Sequence, residues 1–299
     1  MAEVTLPRTR MFDLRRPDGE MQRIFVAWPA VPPPATGSPV IYLLDGNADF
    51  AVMVHAARSH AQRPELSHVE PAVIVGIGYP IDDDLDLQRR TFDYTPAAPR
   101  ERLGLRPNGK PWPATGGADA FLAFIEQHVK PRIAADFAID PARQALFGHS
   151  FGGLFTLYTA FTMPQLFQGF YASSPSIWFA GRFVLEFERD FGARLAALGS
   201  RRDLMISIGA LEQMLPADRI ATTGPRYMEW VRGNRMVDNA RELAARLAAL
   251  EAVGLDLAFH EFADESHISA TPLAISRTVR RALQPLPRSA AAQMPASAG

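Results

Sequence analysis

Short runs of consecutive apolar residues alternate with segments of helical spacing along most of this chain, and that alternation restricts its fold more than any other feature. Val40–Leu44, Pro71–Ile77, Gln144–Phe147, Gly169–Ser173, Leu204–Ile208 and Asp256–Phe262 read as strands. Val40–Leu44 is apolar at every position, the pattern of a strand buried on both faces of a parallel sheet. Asp49–Arg58, Ala118–Phe137, Gly152–Thr162, Arg182–Leu198, Gly233–Val253 and a last segment from about Ala270 read as helices. Parallel neighbours need a crossover, usually a helix, so repeated βα units predict an α/β fold with a mostly parallel sheet covered on both faces. Ahead of it, Met11–Leu14 and Arg23–Trp28 flank a turn with Pro17, Asp18 and Gly19 and predict an antiparallel hairpin. The polar, Pro-rich stretch from Tyr79 to Gly117 is expected to be a long loop.

Residues 1–284 are expected to form one domain, followed by a disordered tail, 285–299, rich in Ala, Pro and Ser. Lys+Arg 31 against Asp+Glu 32 gives a net charge of −1 with no dense basic block, which argues against a nucleic-acid partner. The absence of cysteine excludes disulfides, a thiolate nucleophile and a Cys-ligated metal. No secretory signal and no apolar run long enough to span a bilayer are evident, which predicts a soluble, cytoplasmic chain. The acidic run Asp82-Asp83-Asp84 with Asp86 lacks the glycine and terminal glutamate of a calcium loop, so no metal site and no cofactor are expected.

The sharpest local signal is Phe147-Gly148-His149-Ser150-Phe151-Gly152-Gly153, a G-x-S-x-G placed between a predicted strand and a predicted helix. There the serine occupies a strained turn, and small residues at Gly148 and Gly152 let the backbones approach while its hydroxyl projects at the carboxyl end of the sheet. A phosphate-binding loop is the bland alternative, but the lysine of G-x-x-x-x-G-K-[ST] is missing and no G-x-G-x-x-G is present. Ser150 is the candidate nucleophile.

A serine hydroxyl needs a base, expected in a loop after the last strand. Of the seven histidines, His55, His60 and His68 precede the elbow, His128 lies on a helix, His149 is inside the elbow and His260 is within the last strand. His267, in Ala263-Asp264-Glu265-Ser266-His267, remains. The acid that orients it should follow an intervening strand, and Glu212 after Leu204–Ile208 fits. Asp218, Asp264, Glu265, or no side chain at all, stay open as alternatives. Acyl transfer also needs two N–H donors for the developing oxyanion. The amide of Phe151, after the nucleophile, is one candidate, and that of Asn47, in the turn Leu44-Asp45-Gly46-Asn47-Ala48, is the other.

With these residues in place the sequence resembles the putative-esterase branch of the α/β-hydrolases, which includes the trilactone esterases of catecholate siderophores such as enterobactin, salmochelin and bacillibactin. Tyr42–Phe50, Val73–Tyr79, Arg90–Pro96, Gly116–Phe124, Phe147–Leu154, Ala172–Trp178, Ile208–Glu212 and Asp264–His267 carry the resemblance over nearly the whole chain. It implies Ser150 as nucleophile, His267 as base and the Asn47 and Phe151 amides as oxyanion hole, and Glu212 matches the acid of related acyltransferases. It also implies that the loops around Asp93-Tyr94 and Ser174–Trp178 lie near the pocket, so that Arg90, Asp93, Tyr94, Ser176 and Trp178 are the expected substrate contacts. A ferric tris-catecholate is anionic and flat-sided and would favour arginines and aromatic walls. Arg89, Arg226, Tyr227, Phe179 and Trp230 are further candidates for those roles. The expected function is a serine carboxylic ester hydrolase working through an acyl-enzyme on a small-molecule ester, such as an iron-bound siderophore. Acyl transfer to an alcohol and a non-catalytic binding protein are the alternatives.

Overall fold

The computed structural model describes residues 5–106, 108–214 and 224–285. Eight strands among them form one sheet: β1 Thr9–Arg15, β2 Met21–Ala27, β3 Ser38–Leu44, β4 Val73–Gly78, β5 Ile139–His149, β6 Gly169–Ser173, β7 Arg202–Gly209 and β8 Leu255–Phe262. Their order is β1-β2-β4-β3-β5-β6-β7-β8. β1 pairs antiparallel with β2 and β2 antiparallel with β4, so the hairpin caps one edge, and every other pairing is parallel. This is the mostly parallel sheet with an antiparallel hairpin that the alternating pattern predicts, and the α/β-hydrolase arrangement that the resemblance implies.

Burial follows the patterning. β3, β4 and β6 are buried at every position, whereas the edge strand β1 is exposed or half-buried throughout. One face of the sheet carries helix α1, Gly46–Ala61, and the C-terminal helix Ala270–Ala282, which pack Phe50, Met53, Ala274 and Ile275 against Ile41, Phe147 and Met205. The other face carries the segment from Ala118 to Asp136, the helix Phe151–Thr162 and the helix Met236–Leu247, with Phe121, Phe155, Leu157 and Leu243 over Tyr42, Leu146 and Ile206. No helix among the described residues is long and apolar enough to cross a membrane.

Several elements differ from the expectation. The polar stretch after Tyr79 contains a helix, α2, at Leu87–Asp93, whose N-cap Asp86 accepts from the Gln88 and Arg89 amides. Ala118–Asp136 is interrupted by a π-helical stretch at Ile125–Val129. The single helix expected over Arg182–Leu198 is two short ones, Leu185–Glu188 and Phe191–Leu198, preceded by a kinked turn at Phe179–Arg182 in which Ala180 and Gly181 are left-handed. The helix expected over Gly233–Val253 breaks at Arg235, which is left-handed (φ 47°) between Pro225–Asn234 and Met236–Leu247. The Asn239 side chain donates to the Asn234 carbonyl across that break and satisfies an acceptor the break frees. The tail from residue 286 and the alternative acid Asp218 lie outside the described residues.

Candidate active site

β3 and β5 are neighbours, yet the chain leaves β3 for α1 on one face and β5 for the Phe151–Thr162 helix on the other. Connections that diverge in this way open a crevice at the carboxyl ends of the strands, where open α/β sheets bind ligands. Asp45–Asn47 and Ser150–Phe151 are the two turns that face it.

Ser150 has φ 60° and ψ −116°, a conformation that costs a non-glycine residue about 1–3 kcal/mol. Backbone hydrogen bonds hold it: its amide donates to the Ser173 carbonyl (2.9 Å), and its own carbonyl accepts from Leu154 (3.0 Å) and Ser176 (3.1 Å). The turn closes because Gly148 lies against Gly152, and a Cβ at Gly148 would stand 2.2 Å from the Gly152 carbonyl oxygen. A Cβ at Gly152 would meet only ordinary contacts, the nearest being Leu44 at 3.5 Å.

Ser150 Oγ lies 3.0 Å from His267 Nε2, and His267 Nδ1 lies 2.7 Å from Glu212 Oε2. An ionised carboxylate only accepts, so Nδ1 carries the proton and Nε2 is left to accept from the serine hydroxyl. Glu212 Oε1 accepts from the Gly209 amide (2.7 Å) and from Ser174 Oγ (2.5 Å). Its side chain is fully buried, whereas that of His267 is 40% exposed, so the imidazole reaches the crevice while the carboxylate is shielded from water. The loop carrying Glu212 docks directly on the histidine loop. Leu211 donates to the Glu265 carbonyl at 3.0 Å, and a Cβ at Gly209 would lie 2.4 Å from that oxygen. Asp264, an alternative acid, is exposed.

The amides of Phe151 and Asn47 each belong to the first turn of a helix, where no intrahelical carbonyl can accept them, and both helices turn their positive ends toward the crevice. The Asn47 side chain is tied to the turn after β4, its Oδ1 accepting from the Tyr79 amide (2.8 Å) and its Nδ2 donating to the carbonyls of Tyr79 (3.0 Å) and Ile81 (3.2 Å).

A cavity of about 300 Å³ opens beside these groups, its walls including Ser176, Trp178, Tyr227, Trp230 and Met236 along with Ser150 and His267. Trp178 meets Trp230 at 5.4 Å between ring centres and Tyr227 meets Trp230 at 5.7 Å. Trp112 completes the cluster at 5.8 Å from both Trp178 and Phe151. It sits among prolines and polar residues with no periodicity, so no sequence signal marks it.

The structure thus brings Ser150, His267, Glu212, Ser176 and Trp178 together but keeps Arg90, Asp93 and Tyr94 off the cavity wall. Arg90 is spent on Asp45, with Nε–Oδ1 at 2.9 Å and Nη2–Oδ2 at 2.8 Å. Asp93 accepts from Arg16 (2.7 Å) and from Tyr79 Oη (3.1 Å). Tyr94 is fully buried, and its Oη accepts from the Asp45 amide at 3.1 Å. The motif that suggested ligand contacts is a buried polar layer supporting the Asp45–Asn47 turn. Buried charges must be paired, and these are paired within the protein.

Comparison with known proteins gives the family to which the chain belongs. A family model described as "Putative esterase" matches residues 17–230. The chain is 40% identical to the ferri-bacillibactin esterase of Bacillus subtilis, covering 94% of this chain and 91% of that one. It is 36% identical to the siderophore triacetylfusarinine C esterase of Aspergillus fumigatus over 92% of each. The crystal structure of the BES protein from Bacillus cereus superposes with a TM-score of 0.84 at 35% identity, covering 95% of this chain and 98% of that one. The elbow, the crevice and full-length relatives that are themselves esterases converge on one conclusion: the chain belongs to the family described as putative esterases and is an ester hydrolase.

Proposed function

We propose that this esterase hydrolyses a siderophore ester through an acyl-enzyme on Ser150. The observation that carries the chemistry is the unbroken line from Ser150 Oγ through the His267 ring to a buried Glu212, at 3.0 and 2.7 Å. Ser150 Oγ attacks the ester carbonyl carbon while His267 Nε2 takes its proton. The carbonyl oxygen becomes an oxyanion held by the amides of Phe151 and Asn47. Collapse breaks the bond between carbonyl carbon and leaving oxygen, and His267 returns the proton to the departing alkoxide. Water then repeats the sequence, giving its proton to His267 and its oxygen to the acyl carbon, and Ser150 is regenerated. Glu212 keeps the histidine in the tautomer that can do this and stabilises the imidazolium.

For the substrate, support comes from the relatives' names and from the walls. Trp178, Trp230 and Tyr227 offer flat faces on which a planar arm of a siderophore can stack, and about 300 Å³ suits one arm rather than a whole macrocycle. The rest of a trilactone would then stay outside the crevice, which agrees with Arg90 having no part in holding it. We propose a cytoplasmic setting, where imported or newly made ester would be met; cell fractionation tests this.

Time-resolved mass spectrometry with iron-loaded and iron-free bacillibactin and triacetylfusarinine C, beside p-nitrophenyl acetate and a Ser150→Ala control, decides the substrate. Serine-dependent cleavage of a siderophore at rates well above the small ester supports the proposal. Cleavage of p-nitrophenyl acetate alone discards the siderophore and keeps the mechanism.

A further inference from the structure

One ionisable ring at the centre of the site has no part in the reaction as described. His149, the residue before the nucleophile, lies against His267 with ring centres 4.6 Å apart and planes inclined at 42°. It is not a loop residue that drifts into contact. As the last residue of β5 it stands in register with Ser173 of β6, and its Nδ1 lies 3.0 Å from Ser173 Oγ. The next residue, Ser150, leaves the strand conformation, so β5 ends by presenting one ring under the base and one hydroxyl to it.

We propose that His149 is a positioning residue for His267, a ring shelf that fixes the tilt of the base relative to Ser150. The proposal rests on the assignment of His267 as the base. His267 comes from a loop, with its side chain 40% exposed, and its two hydrogen bonds lie along one axis and resist a tilt about that axis least. A ring packed against it opposes that tilt. The tether to Ser173 in turn fixes the shelf.

The shelf must also stay neutral, because two imidazoles in contact that share a proton would split the base's protonation between them. The groups facing His149 are His267 and, at longer range, Arg90, and neither is an anion that would favour a charged ring. Burial, with the charge on His267 and then Arg90 adding to it, holds His149 well below the ordinary histidine range. Glu212 is hydrogen-bonded to His267 Nδ1 and not to His149. The proton released by Ser150 therefore has one destination.

The test compares His149→Ala, His149→Phe and His267→Ala, with p-nitrophenyl acetate turnover and the rate of serine labelling by a fluorophosphonate as readouts. His149→Ala is expected to lower kcat about tenfold with KM within about twofold, because a tilted base is misaligned for proton transfer while the acyl pocket is intact. His149→Phe restores a flat surface without the tether and is expected to recover most of that loss. Circular dichroism and melting temperature identify any variant that is misfolded, and only folded variants are scored. Wild-type kcat in folded His149→Ala, with His267→Ala inactive, overturns the shelf and leaves the base intact. Activity in His267→Ala overturns the base assignment itself. An equal loss in His149→Phe and His149→Ala overturns the ring contact as the operative feature.

Discussion

Asp45 and Arg90 form a two-pronged ion pair with side chains only 5% and 8% exposed, and it sits directly under the turn that carries the Asn47 amide. Asp45 is left-handed there, at φ 52° and ψ 46°, and caps α1 without using its side chain on the helix. Burial alone would lower the affinity of the Arg90 guanidinium for its proton, but the Asp45 carboxylate overrides this and raises it. The pair therefore fastens the strained turn to α2 and, through that turn, holds the Asn47 amide proposed as an oxyanion donor.

Arg90→Met is expected to destabilise the protein by about 3–5 kcal/mol, the cost of leaving Asp45 buried without its partner. Urea denaturation reads the loss. In the folded fraction kcat should fall with little change in KM, since a displaced Asn47 amide weakens the transition state rather than substrate binding. A midpoint equal to wild type would show that Asp45 finds another partner.

Glu212→Gln should lower kcat by roughly 10²–10⁴-fold with the fold intact. The amide oxygen can still accept from Gly209 and Ser174, but its NH₂ then faces His267 Nδ1 and favours the wrong tautomer. Stopped-flow acylation measures the chemical step directly. A rate near wild type would move the acid elsewhere.

Gly148→Ala and Gly152→Ala should separate sharply although both glycines belong to the same motif. The first puts a Cβ 2.2 Å from a carbonyl oxygen and should prevent the elbow from closing, with loss of soluble expression or a large drop in melting temperature. The second meets nothing closer than 3.5 Å, lies in a helix, and should be neutral or stabilising by up to about 1 kcal/mol. Thermal melts of the two variants are the measurement.

Asp49, in the first turn of α1, has its pKa raised to about 7, chiefly by burial and then by the neighbouring Asp45 charge. A carboxyl that holds its proton more tightly when folded favours the folded state at low pH. That advantage is lost as pH rises from the ordinary aspartate range near 4 through 7. Asp49→Asn should therefore gain in melting temperature relative to wild type between pH 4 and pH 7, with the difference levelling off above. A pH-independent difference would mean that Asp49 titrates normally.

The sheet and the elbow were legible because burial on two faces forces a local pattern, as in Val40–Leu44 and Gly169–Ser173. The chain order of serine, acid and histidine, with each at the end of a readable strand, made Ser150, Glu212 and His267 stand out. Arg90, Asp93 and Tyr94 misled for a definite reason. Charge and hydroxyl say that a residue wants a partner, not whether that partner is a substrate or another residue of the protein. Asp45, Arg16 and Tyr79, distant in sequence, supply those partners. The break at Arg235 was hidden because the apolar residues on either side keep helical spacing and only the backbone turns. Trp112 was hidden because a single aromatic in a Pro-rich stretch has no period to belong to.

The wall helix Pro225–Asn234 supplies Tyr227, Trp230, Val231 and Asn234 to the cavity but none of the groups aligned on Ser150. In the proposed mechanism this part of the wall is thus separate in the chain from the residues that break the bond. On the proposed mechanism, substitutions in that helix should change which ester fits and leave Ser150, His267 and Glu212 in place. A chimera carrying a relative's helix in this place should shift preference among esters and keep this protein's reactivity.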